Sequence, residues 1–284
     1  MDPQDPNSFR HRFSFVNGIT YHEGEERNEA IVLCHGFPDL WYGWRYQIPF
    51  LVSKGYRVIV PDIRGYGQTE APRCPPNSLH QYGYKNICKD LKEIMDQLKI
   101  QKAIFLGHDW GGAVAWRMCI HYPERVHAVI SVCTPYFPPN DTFISAEALG
   151  EIFPNLQYQT YLSHPKAEIE LDNEMESFFK RIYRTSKRKD LVKIFDGKSM
   201  TGVADEGIER SSLMTQKHIE EAGHWVMVEQ TNQLHEYIEE FLENLKKITH
   251  KLLLTSDTEA PLFYQDSESD NEDDKKNEQL LRKL

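Results

Sequence analysis

Long apolar runs are missing from this 284-residue sequence, and none approaches the length of a membrane-spanning helix. The opening Met-Asp-Pro-Gln-Asp-Pro lacks a basic region followed by an apolar one, so no signal peptide is expected. Cysteine is scarce and odd in number, at five, and Cys34 and Cys133 lie within apolar runs. Buried free thiols in a reducing compartment, the cytoplasm, are therefore predicted. The terminal Arg-Lys-Leu shares only its last two residues with a peroxisomal Ser-Lys-Leu address, which leaves that compartment as a weaker alternative.

Basic residues are outnumbered, with 33 Lys and Arg against 43 Asp and Glu and a net charge of -10. This balance argues against general nucleic-acid binding. Much of the excess lies in an acidic, serine-containing tail, so residues 251–284 are expected to be disordered. Metal-ligand spacings, a phosphate-binding loop and internal repeats are also missing, and no cofactor is predicted. The oligomeric state stays open.

Strands and helices alternate through the first half of the chain. Continuous apolar runs predict buried strands at 30–34, 57–60, 103–106 and 128–133, after an opening hairpin over 13–22. Apolar residues at helical spacing lie between Asn86 and Ile100, and a helix-like segment spans 113–118. This rhythm predicts an α/β fold with a doubly wound, mostly parallel sheet, whose functional loops lie at the carboxyl ends of its strands.

The pattern changes after residue 136 and again near residue 216. We predict a core over 1–136, an inserted helical cap over 137–215 and the rest of the core over 216–250. Within the cap, apolar spacing predicts a helical stretch over 167–183. The last part of the core should contain a short strand over 217–222, followed by an amphipathic helix with Leu234 and Ile238 on its apolar face.

The most informative stretch joins the strand at 103–106 to the helix that follows it. It reads Gly107-His108-Asp109-Trp110-Gly111-Gly112, the Gly-x-nucleophile-x-Gly pattern of a nucleophile elbow. We expect side chains at the three glycines to collide with neighbouring elements, because the turn is sharp. A carboxylate is already anionic at neutral pH, and its attack on an sp3 carbon gives an ordinary alkyl ester. Asp109 therefore indicates displacement at carbon; the alternative is an aspartate that caps the helix.

Four motifs together resemble one family. His-Gly-Phe-Pro at 35–38, Arg-Gly-Tyr-Gly at 64–67, Gly-His-Asp-Trp-Gly-Gly at 107–112 and Gly-His-Trp at 223–225 occur in the order of soluble-type epoxide hydrolases of the α/β-hydrolase fold. The resemblance covers roughly residues 10–185 and 216–245. It implies an α/β-hydrolase fold and hydrolysis of small apolar epoxides with water, and we expect the loop at 64–67 to be scaffolding.

The resemblance also implies roles for individual residues. Asp109 matches the nucleophile and His224 the base that activates water, although a structural surface histidine is the alternative for His224. Backbone N–H groups of Phe37 and Trp110 match the oxyanion hole, with a cis peptide bond before Pro38.

The family uses two cap tyrosines to meet the epoxide oxygen as it leaves. Tyr158, which is followed by Gln159, matches the first, with Tyr161 as the neighbouring alternative. The segment that carries the second tyrosine is missing. Between Ile194 and His224 there is also no apolar run for the strand that carries the triad acid, as an internal deletion would produce. Asp205 or Glu206 could substitute for that acid, but a solvated loop is their expected role.

Three functional hypotheses follow. The first is an epoxide hydrolase that forms vicinal diols through an Asp109 alkyl ester. The second is a haloalkane dehalogenase, which uses the same aspartate and the following tryptophan to displace a halide. The third is a weak or inactive variant that only binds apolar ligands or partners, because the triad acid is missing.

Overall fold

The computed structural model describes residues 1–16, 19–22, 29–74, 77–138, 144–153, 156–183, 216–219 and 222–255. Residues 251–255, which the sequence predicts to be disordered, are helical instead. The rest of the expected tail, the interval with Asp205 and Glu206, and the turn of the opening hairpin lie outside these ranges. The chain divides into two compact units, Met1–Ile238 and Glu239–Leu284. Within the described ranges, every helix is too short or too polar to cross a membrane.

In the described part of the chain, six strands form two sheets. β1 (Phe13–Val16) and β2 (Ile19–His22) make the predicted antiparallel hairpin. The larger sheet is parallel, with the order β4-β3-β5-β6. Its strands lie at the predicted positions: β3 (Ala30–Cys34), β4 (Arg57–Ile59), β5 (Ala103–His108) and β6 (Val126–Val132).

Nine α-helices are found in the described residues. The predicted helix after Asn86 begins two residues earlier, at Tyr84, and the elbow helix extends the predicted segment in both directions. Short 3-10 helices occur at Pro6–Ser8, Trp41–Trp44, Leu79–Tyr82 and Pro123–Arg125. The α-helices are α1 (Gln47–Ser53), α2 (Tyr84–Gln97), α3 (Trp110–His121), α4 (Ala146–Ile152), α5 (Gln157–Ser163), α6 (Lys166–Asn173), α7 (Met175–Ile182), α8 (Val226–Glu229) and α9 (Thr231–Thr255).

The parallel sheet is covered on both faces. Alternate residues of β3 and β5, such as Val32 and Phe105, join a core with Leu91 of α2 and Met118 of α3. The intervening residues, including Leu33, are equally buried. Burial on both faces explains why these strands are apolar without interruption, as the sequence predicts. Because all four strands are parallel, the segments after Cys34, His108 and Val132 all lie at the carboxyl end of the sheet.

Three further sequence predictions need correction. Residues 217–219 form no strand; β6 is the last described strand of the sheet, and no described strand runs beside these residues. The helical stretch over 167–183 is two helices, α6 and α7, separated at Glu174 (φ -120°, ψ 27°). Ile169, predicted on the apolar face, is 64% exposed. Cys133 is exposed, because it follows β6 with φ 60° and leaves the strand direction. Cys34 is buried as predicted.

Candidate active site

The elbow holds Asp109 in a backbone conformation that few residues adopt. Its φ is 52° and its ψ is -123°, between the end of β5 and the start of α3. The surrounding backbone stabilises this conformation. The Asp109 N–H donates to the Val132 carbonyl at 3.1 Å, and its carbonyl accepts from the Thr134 hydroxyl at 2.6 Å and the Gly112 N–H at 2.9 Å. A strained residue held by several partners is typical of functional turns.

Glycines let other segments approach the elbow closely, as the sequence predicts. A Cβ at Gly107 would collide with the Gly111 carbonyl, and one at Gly111 with the Cys34 carbonyl. Outside the elbow, a Cβ at Gly36 would lie 2.5 Å from Asp109 Oδ1. The loop after β3 and the elbow are thus packed with no room for a methyl group.

The Asp109 carboxylate faces the loop after β3. Its Oδ1 accepts a hydrogen bond from the Phe37 N–H at 2.9 Å, and it makes no N-capping bond to α3. The helix-cap alternative is therefore wrong. Burial raises the pKa of Asp109, and the His224 side chain and the N–H groups of Phe37 and Trp110 oppose that rise. The Asp109 carboxylate is thus largely shielded from water by its surroundings and lies beside N–H donors.

His224 approaches the other oxygen of the same carboxylate. Its Nε2 lies 3.5 Å from Asp109 Oδ2, although the two residues are 115 positions apart. The imidazole is 43% exposed, so water can reach it. Among the described residues, Asp109 is the only carboxylate within ion-pair distance of His224.

Trp110 connects the elbow to the helices after β6. Its indole N–H donates to the Tyr158 hydroxyl at 3.1 Å, which leaves the hydroxyl proton of Tyr158 available for another acceptor. Burial is the main cause of the raised pKa of Tyr158, and the charge of Asp109 adds to it. Tyr161 points elsewhere: its hydroxyl donates to Glu170 Oε2 at 2.8 Å, and its side chain is exposed. The structure therefore brings Tyr158, not Tyr161, to the elbow.

The loop after β3 is held by a buried histidine. His35 Nδ1 bonds the Gly36 carbonyl at 2.9 Å, and its Nε2 accepts the Ile63 N–H at 2.9 Å. Burial lowers the pKa of His35, which matches the neutral ring that these two bonds require. The peptide bond before Pro38 is cis, as the resemblance implies.

The scaffold around residue 64 is also tied down. Arg64 makes a buried two-bond ion pair with Asp90 of α2, with distances of 3.0 and 2.7 Å. Bidentate pairs of this kind fix orientation as well as distance. This buried ion pair fits the predicted scaffolding role of the loop.

Two residues that sequence reasoning missed contact the backbone of the turn at Gly223 and His224. His108 donates from Nε2 to the His224 carbonyl at 2.7 Å, and Glu229 Oε2 accepts the Gly223 N–H at 3.2 Å. A polar residue ending the apolar strand β5 was the available signal for His108. For Glu229, whose partner depends on how the turn before α8 folds, there was none.

One group of side chains has metal-ligating chemistry. His108, Cys133 and His224 each place a ligand atom within 4.8 Å of the other two. Cys133 Sγ and His108 Nε2 both contact the His224 carbonyl, at 3.7 and 2.7 Å. Their shared contact with this oxygen explains why the Cys133 and His108 side chains lie so close to His224.

The fold and the elbow define the class of protein. Residues 29–188, more than half of the chain, match the family described as alpha/beta hydrolase fold. The chain belongs to this family.

Individual relatives show a more specific similarity, to epoxide hydrolases. Bifunctional epoxide hydrolase 2 of Mus musculus is 36% identical over 224 residues, which are 77% of this chain and 40% of the relative. The chain thus spans well under half the length of this relative. The crystal structure of epoxide hydrolase A from Mycobacterium thermoresistibile is 31% identical, with a TM-score of 0.56, over 76% of this chain and 69% of that chain. Potato (Solanum tuberosum) epoxide hydrolase I is 27% identical, with a TM-score of 0.55, over 68% and 63%.

Proposed function

We propose that this protein hydrolyses epoxides to vicinal diols through an alkyl ester on Asp109. One observation carries the proposal: Oδ1 of Asp109 accepts the Phe37 N–H while Oδ2 lies 3.5 Å from His224 Nε2. The two oxygens thus have different surroundings, one suited to accumulating negative charge and one open to a substrate and to the base. The epoxide hydrolases among its relatives support the substrate class.

In the first half-reaction, Asp109 Oδ2 attacks a ring carbon and the carbon–oxygen bond opens. The leaving oxygen takes the proton of the Tyr158 hydroxyl, whose oxygen is held by the Trp110 indole. The product is an ester between Asp109 and the substrate, with Oδ1 as its carbonyl oxygen.

In the second half-reaction, His224 removes a proton from water as that water attacks the ester carbonyl carbon. Negative charge then develops on Oδ1, where the Phe37 N–H is already placed and the Trp110 N–H is close. Collapse releases the diol and restores the carboxylate. The departing ester oxygen takes the remaining proton of the water. His224 then passes its proton to the Tyr158 phenolate, which restores both side chains.

The test uses purified full-length chain with a styrene-type epoxide. We expect diol from the unchanged chain, none from Asp109→Asn, and an ester detectable by intact mass in His224→Gln, which alkylates without hydrolysis. Diol formation that survives both substitutions would contradict the proposal. Absence of both ester and diol in the unchanged chain would favour the third hypothesis, a variant that only binds.

One contact makes the dehalogenase hypothesis weaker than the epoxide hydrolase hypothesis. A halide leaving group needs N–H donors, and the Trp110 indole N–H is occupied by Tyr158. We expect chloride release from a haloalkane to be far slower than diol formation, measured at equal substrate concentration.

We further propose that α4 to α7, within residues 137–215, form a shortened cap on the core over 1–136 and 216–250. Contact between Phe178 of α7 and Phe37 (ring centroids 6.2 Å apart) and the Trp110–Tyr158 bond support this organisation. We also propose the cytoplasm as its compartment, since all five cysteines are free thiols. Cell fractionation tests this location.

A further inference from the structure

The second half-reaction requires the His224 imidazole to be held in one orientation. Among the described residues, Asp109 is the only carboxylate within reach of the ring. In a triad the acid fixes the imidazole, and its loss costs orders of magnitude in rate. Hydrogen bonds from other elements hold the backbone at His224 and at the preceding Gly223.

The first anchor is His108. Its Nε2 lies 2.7 Å from the His224 carbonyl oxygen, and because a carbonyl only accepts, Nε2 carries the proton. The ring is fully buried, and its centroid lies 4.6 Å from that of His224. His108 also precedes Asp109 directly, so this bond connects the base to the nucleophile's own strand.

His108 is a costly residue to place at this position. Its Nδ1 is buried and has no hydrogen-bond partner among the described residues. A buried nitrogen without a hydrogen bond destabilises the fold, and an apolar side chain would avoid this cost. The donated Nε2–H is the contribution that an apolar residue could not make.

The second anchor is Glu229, at the end of α8. Its Oε2 accepts the Gly223 N–H at 3.2 Å. A Cβ at Gly223 would lie 2.8 Å from Glu229 Oε1, so glycine is the residue that allows this approach. One anchor thus holds the N–H of the residue before His224, and the other holds the carbonyl of His224 itself.

We propose that His108 and Glu229 are positioning residues that orient His224 through its backbone and so sustain ester hydrolysis. This inference rests on the proposed epoxide hydrolase function. The two bonds hold the peptide group that follows His224 and the peptide group that precedes Gly223, which limits how the backbone at His224 can turn and so where its side chain can project. We call these two hydrogen bonds, from His108 to the His224 carbonyl and from the Gly223 N–H to Glu229, the clamp. The clamp acts in the second half-reaction and leaves attack by Asp109 largely unaffected.

Single-turnover measurements test the clamp. The ester is formed with a styrene-type epoxide, and its growth and decay are followed by intact mass. In His108→Leu and in Glu229→Leu we expect the decay rate to fall by about 10- to 100-fold, because misplacement by an ångström costs this much. The rate of ester growth should fall far less.

Conservative variants separate positioning from general packing. His108→Gln and Glu229→Gln keep an N–H donor and an oxygen acceptor, respectively, and should restore most of the decay rate. Glu236→Gln, at an exposed position on α9, is the matched control and should change neither phase. Equal slowing by leucine and glutamine at both positions would overturn the positioning role, as would normal decay in both leucine variants.

A readout independent of turnover distinguishes failure of the clamp from failure of the proposed function. In spectra of 15N-labelled histidine, we expect one sharp set of His224 ring signals in the unchanged chain and in Glu236→Gln. The leucine variants should show broadened or multiple signals. Unchanged His224 signals in both leucine variants would reject the clamp, whether or not the chain forms any diol.

Discussion

Asp109 combines two properties that rarely coincide in one residue, a positive φ and a desolvated carboxylate. The positive φ of 52° lifts the side chain out of the strand direction and towards the loop after β3. Partial burial, at 19% side-chain exposure, removes water from the anion and strengthens its interactions with N–H groups. The same burial raises the pKa of Asp109, which gives the first half-reaction a pH dependence.

The rate of ester formation should fall on the acid side of neutrality. Attack requires the carboxylate form, and a raised pKa means that protonation begins above the ordinary value near 4. We therefore expect the midpoint of the acid limb to lie above pH 4 in single-turnover ester growth. A midpoint at or below the ordinary value would show that N–H donors and His224 outweigh burial.

Tyr158→Phe tests proton donation to the opening ring. Removing a positioned acid typically slows a reaction by 10²-fold or more, so ester growth should slow by about 100-fold while ester decay stays near normal. Tyr161→Phe is the matched control, since its hydroxyl bonds Glu170 away from the elbow. Similar losses from the two substitutions would assign the effect to packing of α5.

At the scale of elements, the loop after β3 and the elbow after β5 work as one unit. β3 and β5 are adjacent and parallel, and Cys34 pairs in register with Gly107. Their ends therefore arrive side by side, and Gly36 and Gly111 allow the two turns to touch. The Phe37 N–H reaches Asp109 because of this register.

Gly36→Ala should damage catalysis more than folding. The added methyl group would lie 2.5 Å from both Cβ and Oδ1 of Asp109, so the loop must retreat and withdraw the Phe37 N–H. Loss of one oxyanion donor costs about 10²- to 10³-fold in rate, and steady-state diol formation should fall by that amount. Gly83→Ala, where the nearest atom is the His80 carbonyl at 3.2 Å, should retain activity. Near-normal turnover in Gly36→Ala would contradict the contact.

At the scale of the whole molecule, the parallel sheet collects polar and ionisable groups at one edge. Several of them are buried among apolar residues, including Asp39, which is 5% exposed. Its Oδ1 accepts the Leu40 N–H at 2.8 Å, but burial still raises its pKa to about 7. Groups of this kind make the stability of the fold depend on pH.

Asp39→Asn should stabilise the protein at neutral and higher pH relative to the unchanged chain. Between pH 4 and 7 the native Asp39 keeps its proton while the unfolded chain releases it, so this residue's contribution to stability falls as pH rises. The limit is about 1.4 kcal/mol per pH unit. Denaturant unfolding should show a gap between the two chains that grows from pH 4 to 7 and then levels off. A gap that is constant with pH would contradict this.

Much of the fold was predictable because it depends on local pattern. The four strands of the parallel sheet, the elbow and the helix after Asn86 follow from apolar spacing and glycine positions. The failures have tertiary causes. The segment over 217–219 has no described strand beside it with which to form a sheet. The helical spacing over 167–183 does not reveal the break at Glu174.

The sequence by itself determined where the elbow and its aspartate lie, because an aspartate between glycines at the end of a buried strand restricts the backbone geometry. The tertiary structure decided which groups meet that aspartate. It placed Phe37, 72 positions away, and His224 on opposite carboxylate oxygens, and it chose Tyr158 over Tyr161. It also placed His108 at the His224 carbonyl and Glu229 at the Gly223 N–H. Distances between residues so far apart depend on strand register and helix packing, which no local pattern records.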